Sequence, residues 1–276
     1  MALTSSFPDL ALESWKGTRD TLHAYAQVLG AVREALTPRK KHWWHTPLSV
    51  SAAGLTTTPM PAGERVVELI LSPMVHHLTL VTNRSERRDI MLPGRPLSQF
   101  CEVVLAAMES MGIAPKIDRN LFADAKARMY DEAAAQRYWQ VLPLIDAVMK
   151  QLKGEYRGES GPVVLWPHGF DLAVLLFSGR RVPGKDPANE EEADEQMNFG
   201  FVTGDAGISE PYFYATAYPS PPGFAGGKLP DGASWHTDGW TGAVMRYAEL
   251  RAGGNAQERL LGFFRSARDA GFARMK

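Results

Sequence analysis

"ERVVELILSPMVHHLTLVTN", residues 64–83, is the stretch whose reading decides the fold class. Between Glu64 and Ser72, Val67, Leu69 and Leu71 fall on one parity, and Glu64, Glu68 and Ser72 fall on the other. A period of two is that of a half-buried strand, whose successive side chains point to opposite faces. Ser72-Pro73 interrupts the pattern, because the residue before proline is held extended or in a turn. "VHHLTLVTN" (75–83) then resumes it, so a hairpin is expected, with "RRDIML" (87–92) as a third strand.

The flanks do not continue in strands. Leu12, Trp15, Leu22, Tyr25, Leu29, Val32 and Leu36 recur at helical spacing and predict one amphipathic helix over residues 10–36, ended at Thr37-Pro38. "LSVSAAGLTT" (48–57) alternates like a strand. Downstream, Ser98 is expected to cap a helix running to about Met111. A longer helix is expected from about Asp131 to Lys153, kinked or broken by Pro143. "GPVVLWPHGFDLAVLLFSGRR" (161–181) predicts two short strands, or one strand bulged at Pro-His-Gly.

"VPGKDPANEEEADEQMN" (182–198) reads as a mobile acidic loop. "PYFYATAY" (211–218) is an aromatic strand and residues 219–232 a long loop. "ASWHTDGWTGAVMRY" reads as a turn leading into a strand, and "NAQERLLGFFRSARDAGF" closes the chain as a helix. There is no internal repeat and no regular strand–helix alternation. The expectation is an α+β fold, a mainly antiparallel sheet packed with several helices, as a single domain over residues 1–276 with a mobile loop at 182–198.

The 276 residues carry a net charge of -1, and the basic residues are dispersed, so nothing drives the chain toward nucleic acid or an anionic membrane. No run approaches the ~18 apolar residues of a membrane span. The N-terminal "MALTSSFPDLALESWKG" lacks a basic n-region and a long apolar run. The single cysteine, Cys101, excludes an internal disulfide and a cysteine-rich metal site, and its apolar helical context reads as core. These features point to the cytoplasm. The phosphate-loop, dinucleotide-binding, nucleophile-elbow and zincin motifs are absent.

The candidate chemistry lies with the histidines. "KHWWHTP" (41–47) places His42 and His45 three apart, sharing a face on a helical turn but opposed on a strand. With His77 they form a candidate metal set, and histidine ligands without thiolates suit zinc or iron. The competing reading makes Trp43 and Trp44 core anchors, with the imidazoles satisfying local hydrogen bonds. Adjacent residues diverge, so Trp43 is expected to anchor the core and Trp44 to wall a pocket. His76 and His77 sit on opposite faces of their strand, and both faces carry apolar residues, so either could turn inward.

His168 stands at the Pro-His-Gly break with Asp171 three residues on, a pair that satisfies itself or serves a ligand as general acid–base. His236 in "SWHTDGW" reads as a turn residue and His23 as a surface or packing residue. Arg180 is a candidate clamp for a substrate carboxylate or phosphate. Trp43 and Trp44 are equally candidates for stacking on a small organic ligand.

"LHAYAQVLGAVREALTPRKKHWWHTPLSVSAAGLTTTPMP", "LWPHGFDLAVLLFSGRR" and "PYFYATAYPSPPGF" together resemble a bacterial family, domain of unknown function 5996. The resemblance covers most of residues 10–225. It places His42, Trp43, Trp44, His45, His77, Phe170, Asp171, Ser178, Gly179 and Arg180 at the family's motif positions. It also implies a His-Glu pair after the acidic loop, where this chain has Glu195-Gln196. The family supplies no activity. The expectation is therefore an enzyme acting on a small organic substrate in a His/Trp-lined pocket, metal-dependent in one version. The alternative is a non-catalytic binding protein with an aromatic pocket, or a module that binds a partner through its acidic loop.

Overall fold

The computed structural model describes residues 7–275, so residues 1–6 of the N-terminal stretch read above lie outside it. The first regular elements are α1 (Lys16–Leu36), β1 (Ser49–Val50), β2 (Leu55–Thr56), β3 (Met60–Ala62), β4 (Arg65–Ser72), β5 (His77–Thr82), β6 (Arg87–Met91), α2 (Leu97–Ser110) and α3 (Glu132–Glu155). They are followed by β7 (Val164–Trp166), β8 (Asp171–Arg181), α4 (Glu190–Ala193), β9 (Asp194–Val202), β10 (Tyr212–Tyr218), β11 (Ala233–His236), β12 (Gly242–Arg246), α5 (Tyr247–Ala252) and α6 (Ala256–Phe272). Helices and antiparallel sheets make an α+β fold.

The chain divides into two compact units where the sequence suggested a single domain. Among the described residues, the first comprises Glu13–Pro143 and Val164–Phe170, and the second residues 7–12, Leu144–Val163 and residues 171–275.

The first unit holds the hairpin that the alternation predicts. β4 pairs β5 with Leu69 opposite Leu80 and Leu71 opposite Leu78, and β5 pairs β6. Val67, Leu69, Leu71, Leu78 and Leu80 are all at 0% exposure. Each such side chain contributes about 1.5–3 kcal/mol by leaving water. α1 and α2 pack through Tyr25 stacked on Phe100 at 3.7 Å. The Tyr25 hydroxyl also bonds the carbonyls of Leu92 and Arg95.

Three local readings are corrected here. Residues 48–57 form two short strands, β1 and β2, around a turn in which Ser51 Oγ accepts from the N–H groups of Ala53 and Gly54. A Cβ on Gly54 would lie 2.3 Å from the Leu71 carbonyl oxygen, so only glycine lets these strands close. Pro96, not Ser98, precedes the first turn of α2, and Ser98 donates its backbone N–H to the Asp124 carbonyl. α3 is not broken at Pro143 but runs through it as one helix.

The second unit is built on the antiparallel order β11-β12-β10-β9-β8. One face carries Phe199, Phe201 and Phe213, and α6 covers it, with Phe264 edge-on to Phe199 at 5.8 Å and to Phe213 at 6.2 Å. Asn255 caps α6 by accepting from the Glu258 N–H. The end of the acidic stretch, expected to be loop to residue 198, is instead α4 and the start of β9, paired on both sides. Charge misled the reading, because Glu195 is buried in partnership with Arg180. Ala233–His236, read as a turn, is edge strand β11. Among the described residues no helix is long and apolar enough to cross a membrane.

Candidate functional site

One stripe of α1 gathers two of the three histidine-bearing segments of the first unit, 42–45 and 166–170, and not the segment with His76 and His77. His23 stacks on Phe170 at 5.3 Å, and its Nε2 bonds the His168 carbonyl at 3.1 Å. One turn further, the Gln27 amide lies 3.3 Å from the same ring nitrogen. Gly30 sits so close to Pro167 that a Cβ would come within 2.7 Å of its ring. Arg33, buried in the first unit, then reaches the "HWWH" segment. Its Nη1 donates to the Thr57 carbonyl and to Thr58 Oγ1 at 2.6 Å, and its Nη2 donates to the Trp44 carbonyl at 3.4 Å. A bridge between Leu48 and Leu165 ties the strand after "HWWH" to the strand before Pro-His-Gly.

The "HWWH" backbone forms a single short turn, closed by the Trp44 N–H to the Lys41 carbonyl, but not one of right-handed helical conformation. His42 and Trp43 both take left-handed conformations, with φ of 50° and 56°. Two consecutive bulky residues there cost about 1–3 kcal/mol each, and surrounding structure has to hold them. The Arg33 fork and the Thr46 contacts to the Trp43 carbonyl do so.

The turn pairs alternate residues. His42 lies 5.2 Å from Trp44, and Trp43 stacks on His45 at 5.5 Å. Each indole also carries a cation, Arg39 at 4.9 Å over Trp43 and Lys41 at 5.6 Å over Trp44. Both imidazoles are buried, whereas Trp43 is 42% exposed and Trp44 only partly exposed. The expected core role of Trp43 is thus overturned, because the left-handed turn rolls it outward, while Trp44 stays partly exposed. Burial holds the His45 pKa below the ordinary histidine value. The Lys40 N–H donates to its Nδ1, leaving the proton of the neutral ring on Nε2.

The other candidates fall elsewhere. His77 lies on β5 and donates from Nδ1 to the Val75 carbonyl at 2.5 Å. Its neighbour His76 is the one that turns inward, bonded to the Tyr130 hydroxyl at 3.1 Å and the Gln136 amide at 3.2 Å. His168, read as standing at a break in a strand beside Asp171, is exposed on the turn between β7 and β8, its ring 5.7 Å from that of Trp166. Phe170, with φ of 55°, fills the core in its place.

Asp171, in the second unit, accepts from the Tyr214 hydroxyl at 2.7 Å. The Arg180 fork is occupied by Glu195, with Nε and Nη2 each 3.0 Å from a carboxylate oxygen. An internal carboxylate therefore takes the position that the sequence reading gave to a substrate. Cys101 is core, its thiol pKa pushed up by burial.

Among the described residues no group of three or more His, Cys, Asp or Glu is placed to hold one metal ion. An open groove of about 580 Å³ in the second unit, beside Lys228, Asp269 and Arg274, contains none of the candidate residues.

Arg33, Tyr130 and Tyr214 escaped the sequence reading. Arg33 left one weak signal, a charged residue directly after Val32 on the apolar stripe of α1.

The fold and the "HWWH" turn define an α+β protein built on two antiparallel sheets with an aromatic, cation-flanked turn. The chain belongs to the Family of unknown function (DUF5996), whose model matches residues 7–276. Comparison with curated proteins and with solved structures returned no match.

Proposed function

We propose that the chain binds a small, planar, anionic organic molecule on the exposed indole of Trp43. The observation that carries this reading is an exposed tryptophan on a left-handed backbone, beside a Trp44 carbonyl that a buried arginine holds. A turn meant only for packing would relax and bury the indole. Strain of this kind collects at binding and catalytic sites. The exposed Trp43 ring supplies stacking, Arg39 over that ring and Lys41 over the neighbouring Trp44 supply positive charge, and the His45 Nε2–H is a directed donor. The single cysteine, buried and reduced, supports a cytoplasmic setting for this activity.

A second reading makes the same site an enzyme. It rests on His45, which burial keeps neutral near pH 7 and which lies directly against the indole that would hold the substrate.

Fluorescence and calorimetric titration with a panel of aromatic carboxylates and nucleoside monophosphates tests the proposal. Binding is expected in the wild type and should be lost in Trp43→Ala with the fold intact. Binding that survives Trp43→Ala unchanged, or no binding across the panel, removes the reading. Turnover of a bound panel member that His45→Gln abolishes would favour the enzyme version.

A further inference from the structure

The sheet of the second unit has a face that α6 does not cover, and it carries chemistry unused by the Trp43 site. By strand alternation Asp171, Asn198, Gly200, Tyr212 and Tyr214 share it, with Gly200 opposite Tyr214. A Cβ on Gly200 would lie 2.2 Å from the Tyr214 ring, and a Cβ on Gly242 would lie 2.5 Å from the Trp240 ring. Both rings therefore lie down against bare backbone, and only glycine at these two positions permits it. Tyr214 and Trp240 pack on one apolar cluster of Val202, Ile208, Tyr212 and Val244, yet both remain partly exposed.

Acceptors surround these rings. Asp171 holds the Tyr214 hydroxyl at 2.7 Å, and Asp205 holds the Tyr212 hydroxyl at 2.6 Å. Asn198 donates to Tyr214 at 3.4 Å, while its own Oδ1 is buried without a hydrogen-bond partner. A buried, unmatched acceptor calls for a donor from outside the chain.

We infer that this face is a binding site for a small organic cation, with Tyr214 and Trp240 as its aromatic floor and Asp171 as its counter-ion. An aromatic ring offers its negative π-face to a positive group, and the His236 ring, 4.4 Å from that of Trp240, bounds this floor on one side. A carboxylate at the rim adds charge complementarity, and the Asn198 oxygen takes an N–H or O–H of the ligand. The phenol pKa of Tyr214 is raised well above its usual value by burial and by Asp171, so the hydroxyl stays protonated and keeps donating to Asp171. The site uses no residue of the Trp43 platform, so each proposal can fail without the other.

Titration calorimetry with choline as cation probe and 3,3-dimethylbutan-1-ol as its neutral isostere tests the inference on the full chain. Choline should bind with a Kd below about 10 mM, and the neutral isostere at least about tenfold more weakly. Asp171→Asn preserves the acceptor for Tyr214 but removes the charge, and should weaken choline by about tenfold or more. Trp240→Ala, and Gly200→Ala by displacing the Tyr214 ring, should also weaken it. Circular dichroism checks that each variant is folded, and any one folded variant suffices for the comparison. Equal binding of the neutral isostere, undiminished binding by folded variants, or no choline binding at about 10 mM would overturn the inference.

Discussion

Replacing Arg33 by methionine tests whether α1 holds the site in shape. Methionine keeps the unbranched stem and removes every donor. The Thr57 carbonyl and Thr58 Oγ1 lose a charged donor, and the weaker 3.4 Å bond to the Trp44 carbonyl goes with them. Thr57 is at 0% exposure, so water does not readily replace the guanidinium. Charged hydrogen bonds contribute about 1.5–3 kcal/mol each, so the two better ones sum to about 3–6 kcal/mol. Against this stands the cost of burying the charge. Desolvation holds the Arg33 pKa below its ordinary value, and Nε is buried without a partner. That cost disappears with the guanidinium and offsets part of the loss, leaving a net destabilisation of about 2–3 kcal/mol. For a chain of this size the melting temperature should fall by about 5–10 °C.

Two assays read the effect. Thermal unfolding by circular dichroism gives the global change. Limited tryptic digestion at the exposed Arg39, Lys40 and Lys41 gives the local one, and should speed up once the Trp44 carbonyl is released. Arg33→Lys should fall between wild type and Arg33→Met, because an ammonium is a point donor and cannot serve the fork. A melting temperature within about 2 °C of wild type for Arg33→Met, together with unchanged digestion, would refute the tethering argument.

Other outcomes follow from the same geometry. Trp43→Ala should cost under about 1 kcal/mol of stability and Trp44→Ala more, and a larger loss at Trp43 in denaturant titration would contradict the exposures found here. Burial holds the pKa values of His23 and His45 below 6.5, so the unfolded chain takes up protons first. Their contribution is full above 6.5 and is lost as pH falls below it, and melting curves between about pH 7 and 5 should flatten in His23→Gln and His45→Gln. If zinc or iron is held by His42, His45 and His77, untagged protein should carry near one equivalent, lowered in a His42→Ala, His45→Ala double variant. Metal-free protein whose melting temperature does not respond to added metal would dismiss that set.

The elements legible in the sequence are those whose own period announces them. Val67, Leu69 and Leu71 mark β4 within nine residues, and the stripe from Leu22 to Val32 marks α1. The misread elements depend on a distant partner. Asp194–Asn198 looked like a solvated loop because its charges were visible and its strand neighbours were not. Ser51–Gly54 looked like continuous strand because the close approach of Leu71 to Gly54 leaves no mark on alternation.

The candidate site was legible in composition and illegible in geometry, for the same reason. "HWWH" announces an unusual segment, but the roles of its residues depend on the backbone, and neither residue type by itself announces φ of 50° and 56° at His42 and Trp43. The tether comes from Arg33, 11 residues before Trp44 and 24 before Thr57. Without that turn, alternation makes Trp43 the buried member, and with it Trp43 is the one presented. Asp171 repeats the pattern. Its nearest histidine in sequence invited a pairing, but its hydroxyl donor is Tyr214, 43 residues away on another strand. In both places a polar side chain that the local pattern assigns to one role takes another because a partner far along the chain reaches it first. The substitutions that matter for function are therefore at the partners, Arg33 and Tyr214, as much as at the motif residues that drew attention to them.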